Sequence, residues 1–371
     1  MKTEHRTYIG NSNDLSEIDD NEIELIVTSP PYPMIEMWDD LFASLNPDIE
    51  TVLENGNGRE AFDLMHKELN KTWDEVNRVL IDGGIACINI GDATRKLDDS
   101  FRVYQNHARI TEYFDEMEFE PLPDILWRKP TNSAAKFMGS GMLPPNAYAT
   151  LEHEYLLIFR NGKKSRSFSS GSEVRYNSAY FWEERNEWFS DIWEGIKGTF
   201  QQLDNADEEL RDRSAAYPLE VPYRLVNMYS IYGDTVLDPF WGTGTTSLAA
   251  MIAGRNSVGY ELQEKFTDVF DAEISEVKEL AHSTVSKRIR RHEAFVKQRL
   301  EDGKDFKYEA ENYDFPVTTK QEKPLQFYII DSVEQIKNGY EVTHSPYNES
   351  DSIEANTGSQ QEQATLGRQF K

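Results

Sequence analysis

With a single cysteine, Cys87, the 371-residue chain can form no intrachain disulfide and no metal centre built on several thiolates. No apolar run reaches the roughly 18 residues of a membrane-spanning helix. The polar start, Met1 to Arg6, has no signal-peptide core. These absences lead us to expect a cytoplasmic protein with no membrane contact. No cluster of His, Cys, Asp and Glu stands at ligand spacing, so no metal is expected. There is no internal repeat. Positive charge is scarce: 39 Lys and Arg stand against 66 Asp and Glu, a net charge of −27. Contact with a polyanion then needs a locally basic face. High-salt adaptation would explain such acidity, yet lysine is not depleted. The apolar content of 38% is low for a compact globule and points to insertions or a tail.

What is present is an alternation of short apolar strands and helical patterns, which predicts an α/β fold: an open sheet with helices on both faces. Runs at 23–28, 85–90, 125–127, 155–159, 235–237 and 256–261 read as strands. Met65, Leu69, Trp73, Val76 and Leu80 follow helical spacing, and Asp82-Gly83-Gly84 stops that helix. Further helices are expected over 103–117, from Tyr217 to Tyr229, from the glycine turn to Ile252, and over 266–299. Between 161 and 213 the pattern changes to Ser, Asn and aromatic residues. Within 161–180, Lys163, Lys164, Arg166 and Arg175 stand against Glu173 alone, a basic island in an acidic chain. We therefore divide the chain into a first half (1–160), an inserted region (161–213), a second half (214–262), a helical extension (263–345) and a disordered tail (346–371).

Two motifs sit at strand ends. The first is Leu237-Asp238-Pro239-Phe240-Trp241-Gly242-Thr243-Gly244-Thr245-Thr246. Its glycines allow close backbone approach to a ligand, and the following helix offers free N–H groups. No Lys follows Gly244, so this is not a phosphate-binding P-loop, and Ser247 replaces the third glycine of the dinucleotide fingerprint. Glu261 ends the next strand, where an acid can accept hydrogen bonds from ribose hydroxyls. Turn and acid together point to a nucleoside-type ligand. The second motif is Thr28-Ser29-Pro30-Pro31-Tyr32. An exocyclic base amine is a poor nucleophile, because its lone pair is delocalised into the ring. The Ser29 hydroxyl and the Pro30 carbonyl can accept its hydrogens and favour a tetrahedral nitrogen. Pro31 fixes the backbone, and Tyr32 offers a flat face to a base taken out of a duplex.

These motifs resemble those of the β group of amino-methylating DNA methyltransferases, which use S-adenosyl-L-methionine and act on cytosine N4 or adenine N6. The resemblance covers residues 7–262. It implies a Rossmann-like, circularly permuted methyltransferase fold with an inserted target-recognition region. It also implies that Asp238 holds the methionine ammonium and Phe240 packs along the cofactor. Pro239, Gly242, Gly244, Thr245 and Thr246 would shape the turn, Glu261 would bind the ribose, and Ser29, Pro30, Pro31 and Tyr32 would form the catalytic motif. Asn11 stands where relatives carry an acid that contacts the adenine. Lys163, Lys164, Arg166 and Arg175 fall in the target-recognition region as candidate DNA contacts. Ser at the first motif position is associated with cytosine N4, and the extended form over 29–39 is similar to archaeal N4-cytosine enzymes, some of which act on the palindrome CTAG. Double-stranded DNA is then the expected partner, with a cognate restriction endonuclease as a second. The readings left open are adenine N6, a non-DNA amine, a DNA-binding protein with a degenerate cofactor site, and, least supported, a nicotinamide oxidoreductase. A carbon-5 cytosine enzyme needs a nucleophilic Cys, and Cys87 lies inside an apolar strand.

Overall fold

A computed structural model describes residues 1–97, 100–129, 138–196 and 217–348. Ten strands form one sheet: β1 (Lys2–Ile9), β2 (Ile23–Thr28), β3 (Leu80–Ile90), β4 (Glu120–Arg128), β5 (His153–Arg160), β6 (Ile192–Trp193), β7 (Thr235–Asp238), β8 (Asn256–Glu261), β9 (Tyr328–Ile336) and β10 (Gly339–Pro346). Their order is β6-β4-β5-β3-β2-β7-β8-β1-β10-β9. The five central strands, β3-β2-β7-β8-β1, run parallel, so their C-terminal ends share one edge.

The continuous apolar runs follow from burial on both faces. Leu25 and Val27 of β2 enter one core with Cys87 and the helices Glu220–Tyr229 and Thr245–Ala253. Ile26, between them, enters the other with Ala86, Ile88 and the helix Gly58–Val79. That helix buries Met65, Leu69, Trp73 and Val76, the stripe its spacing predicts. The connection from β2 runs to β3 and that from β7 runs to β8, in opposite directions along the sheet. The boundary between β2 and β7 is therefore a topological switch point, where α/β sheets open a crevice.

Several boundaries differ from the sequence expectation. The helix expected over 103–117 is a strand at Ser100–Tyr104 followed by a helix at Asn106–Glu116. The long helix expected over 266–299 is two helices, Lys265–Ile274 and Val277–Glu301. The extension is not helical throughout: β9 and β10 form a hairpin that pairs antiparallel with β1 and covers its open edge. Its two-residue turn is Lys337-Asn338, with Asn338 at φ 62° in the left-handed region that Asn tolerates. Of the tail expected from 346, Tyr347 is buried and its backbone N–H donates to the Phe327 carbonyl at 2.9 Å, and residues from 349 onward lie outside the described residues. The inserted region is integrated as far as residue 196. Glu184 accepts from Arg288 at 2.6 and 2.7 Å, and β6 pairs with β4. The rest of that region, 197–213, lies outside the described residues. Among the described residues, no helix is long and apolar enough to cross a membrane.

Candidate active site

The two sequence motifs meet at the switch point, lining a cleft of about 260 Å³ at the C-terminal edge of the parallel strands. Ser29, Pro30, Pro31 and Tyr32 follow β2, and Asp238 ends the neighbouring β7. The strands are tied across that boundary: the Thr28 hydroxyl donates to Asp238 Oδ1 at 2.6 Å. The same oxygen accepts the Phe240 N–H at 3.0 Å, and Oδ2 accepts the Thr246 hydroxyl at 2.6 Å. Tyr217, which sequence reasoning did not single out, lies 2.5 Å from the Thr246 hydroxyl and lines the cleft. Burial holds its phenol well above the ordinary range, so it stays protonated and donates.

Asp238 is 3% exposed, and among the described residues no Lys, Arg or His pairs with it. Burial therefore pushes its carboxyl up to about 6, against the pull of its Thr246, Thr28 and Phe240 donors. A buried carboxylate supplied with hydrogen bonds but no counter-charge suits a ligand ammonium. Glu261 is likewise raised by burial. Its Oε2 accepts the Gly242 N–H and its Oε1 the Gln263 N–H, each at 2.9 Å, which fixes the carboxylate and leaves lone pairs for two hydroxyls. Gly242 has φ 54°, and a Cβ there would meet only the Phe240 carbonyl, at 4.0 Å. The turn thus leaves open space where a side chain would intrude. Phe240 is wedged edge-on against Trp73, with ring centroids 5.6 Å apart, and lines the cleft with Pro239, Thr245 and Thr246. Asn11, in the loop after β1, also lines it, and its Oδ1 accepts the Asn13 N–H at 3.0 Å. This donor and acceptor set fits an amino-acid-bearing nucleoside such as S-adenosyl-L-methionine.

Gly244 does not line the cleft: its φ of 80° caps the helix Thr245–Ala253, and a Cβ would strike Phe270 at 2.4 Å. Its role is packing and turn geometry. Trp241, bulky for such a turn, is 3% exposed. Its ring lies over Gly259, where a Cβ would stand 2.1 Å away, and its indole N–H donates to Ser247 at 2.8 Å. The glycine of β8 thus makes room for the tryptophan of the turn.

Three further residues surround the Ser29–Tyr32 motif. Glu154 at the start of β5, Asn89 near the end of β3 and Lys129 after β4 converge on the Ser29–Tyr32 motif. The Tyr32 hydroxyl donates to Glu154 Oε2 at 3.0 Å and accepts from Asn89 Nδ2 at 2.8 Å. Lys129 holds the other Glu154 oxygen at 2.7 Å. Burial first, then Glu154, keeps the Tyr32 phenol protonated far above the ordinary range. Sequence reasoning did not single these residues out, although each lies at or next to a strand terminus and in a segment, 84–92, 127–130 or 154–159, where the family resemblance is strong. Cys87 is fully buried and its thiol is pushed up by burial, so it offers no nucleophile.

The basic island is elsewhere. The Lys164 carbonyl and the Arg166 amide pack on Gly83, at the N-terminal end of β3, opposite the cleft. Arg166 is bound bidentately by Asp234 at 2.5 and 2.9 Å, and Arg175 lies over the Phe168 ring. Lys163, Lys164 and Arg175 are exposed. None of the four lines the catalytic cleft.

Titration of Asp238 sets a pH dependence. An ammonium ligand requires the carboxylate, whose carboxyl without ligand sits at about 6. Affinity for the cofactor or its product should weaken by about tenfold from pH 7 to pH 5, measured by calorimetric titration. A flat profile would contradict the ammonium pairing.

The N6/N4 DNA methylase family matches residues 23–272. The chain is 52% identical over 341 residues to the type II methyltransferase M.MthZI of Methanothermobacter thermautotrophicus, covering 91% of this chain and 94% of that one. It is 49% identical over 287 residues to M.MjaI of Methanocaldococcus jannaschii, covering 74% and 92%. In structure it is similar to the Thermus thermophilus protein TTHA0409, solved in complex with S-adenosyl-L-methionine. The TM-score is 0.58 at 29% identity, over 74% of this chain and 94% of that one. A motif pair joined at a sheet switch point, in a chain matched over most of its length, means that this protein belongs to the N6/N4 family of DNA methylases.

Proposed function

We propose that the chain transfers a methyl group from S-adenosyl-L-methionine to the N4 amine of cytosine in duplex DNA, at a short palindrome for which CTAG is the candidate. The observation that carries the reading is Ser29 at the head of its motif. Its hydroxyl stands at the cleft beside Tyr32, one strand from the Asp238 carboxylate that suits the cofactor ammonium. Serine at this position is the form associated with cytosine N4.

The cofactor supplies a methyl group activated by its sulfonium centre. Asp238 and Glu261 would hold its two polar ends, and Phe240, backed by the buried Trp73, would form the apolar wall between them. The flipped base stacks on Tyr32, whose ring is fixed by the bonds of its hydroxyl. Ser29 Oγ and the Pro30 carbonyl accept the hydrogens of the amine, so positive charge developing on nitrogen meets acceptors already in place. No covalent enzyme intermediate is required; catalysis rests on alignment of amine and methyl group. A type II system would pair this activity with a cognate endonuclease.

Substrate analogues test the base assignment. Duplexes in which purine replaces every adenine lack the N6 amine and should still accept labelled methyl groups. Duplexes in which uracil replaces cytosine should not. The reverse pattern would assign the activity to adenine.

The position of the basic island leads to a separate expectation. Charge reversal at Lys163 and Lys164 should leave DNA affinity and its salt slope unchanged, since both lie at the far end of β3 from the cleft. A shallower slope would return that loop to the DNA interface.

A further inference from the structure

Ser29, Tyr32 and Glu154 form a connected line of oxygen atoms along the wall of the cleft, which Glu154 and Lys129 also line. Ser29 Oγ lies 3.3 Å from Tyr32 Oη, and Tyr32 Oη lies 3.0 Å from Glu154 Oε2. Asn89 Nδ2 touches all three, at 3.4 Å from Ser29, 2.8 Å from Tyr32 and 2.9 Å from Glu154. Lys129 binds the remaining Glu154 oxygen at 2.7 Å, and Lys129 is half-exposed. The line therefore begins at the motif that receives the amine and ends on an anion whose cationic partner reaches solvent. Asn89 is 3% exposed, and its amide hydrogens are directed at this line. A tyrosine needed only as a stacking surface requires none of these partners for its hydroxyl.

We propose that Glu154 is the proton acceptor for the methylated amine, reached through the hydroxyls of Ser29 and Tyr32. This rests on the amine-methylation reading above and deepens it. When the nitrogen lone pair forms the new N–C bond, the S–C bond breaks and its electron pair stays on sulfur. The nitrogen is left with one hydrogen too many and a positive charge. One N–H bond then breaks, its electron pair returning to nitrogen, and the proton passes to Ser29 Oγ. The Ser29 hydrogen moves to Tyr32 Oη, and the Tyr32 hydrogen moves to Glu154 Oε2. Both hydroxyls end as they began, and the carboxylate ends neutral before releasing its proton to solvent. No other reactant is needed. Glu154 touches neither the amine nor the methyl group; it is a positioning residue that acts through Tyr32. The line also explains why tyrosine is used where phenylalanine would stack as well. The hydroxyl both fixes the ring and carries the proton.

Glu154→Gln and Tyr32→Phe each break the line while keeping size and, for Tyr32→Phe, the stacking ring. Single-turnover methylation at saturating cofactor should fall roughly 10²-fold in each, the scale of a lost general base. KM for DNA should be unchanged, and the double variant should be no slower than either single one. A readout without DNA or cofactor is the absorbance of tyrosinate in the free protein, with Tyr32→Phe identifying the Tyr32 signal. Glu154→Gln should let Tyr32 ionise at lower pH, because the carboxylate opposes that ionisation. An unchanged Tyr32 titration, additive rate losses, or a rise in KM without loss of rate would each overturn the relay. Absence of methyl transfer in the wild type would instead remove the reading it rests on.

Discussion

Asp238→Asn should eliminate measurable cofactor binding and leave the fold intact. The carboxylate is buried, carries three hydrogen bonds and has no cation of the chain beside it among the described residues. Removing its charge leaves a buried ligand ammonium without a partner, a loss of about 3–5 kcal/mol or roughly 10²- to 10⁴-fold in affinity. The effect on the free protein has the opposite sign. The folded-state carboxyl, at about 6, lies above its ordinary value of 3.8. The folded state thus holds its proton longer than the unfolded chain, and this contribution to stability is lost as pH rises through about 6. Asparagine removes that cost, so the melting temperature of the ligand-free variant at pH 8 should not fall. Calorimetric titration and thermal melting on the same sample separate the two effects. Retention of cofactor affinity would show that the ammonium is held elsewhere.

The second large effect is expected at Ser29. Ser29→Ala removes one of two acceptors aimed at the amine and the first member of the proton line. Single-turnover methylation should fall roughly 10²- to 10³-fold, the scale of a deleted transition-state hydrogen bond. Cofactor affinity should change little, because Asp238, Glu261 and Phe240 are untouched. A large loss of cofactor affinity with normal turnover would mean that Ser29 belongs to the cofactor half of the site.

The meeting of the two motifs at one cleft was legible because both stand at strand ends. β2, β7 and β8 are short, and the motif residues stand at or just after the end of each, so pattern and motif fell in register. The hairpin of β9 and β10 was not legible in the same way. Its strands carry a mixed burial pattern, and their apolar alternation is broken by polar residues; only Asn338 marked the turn. The basic island shows the limit of reading charge along a chain. Lys163 to Arg175 stand out in sequence, but β5 runs antiparallel to β3 and delivers the segment after it to the far edge of the sheet. Strand direction, not composition, set that position. The same reversal brings Glu154, at the start of β5, to the motif. Neither fact is visible until the pairing of β3 with β5 is known.

Mass spectrometry of nucleosides from unmethylated DNA, incubated with the full chain and S-adenosyl-L-methionine, tests the central claim most directly. The expected product is N4-methylcytosine, strongly reduced when Ser29→Ala or Asp238→Asn replaces the wild type. N6-methyladenine would contradict the base assignment and leave the site chemistry standing. No methylated nucleoside, from DNA of varied sequence and with cofactor shown to bind, would contradict the assignment of DNA as the substrate.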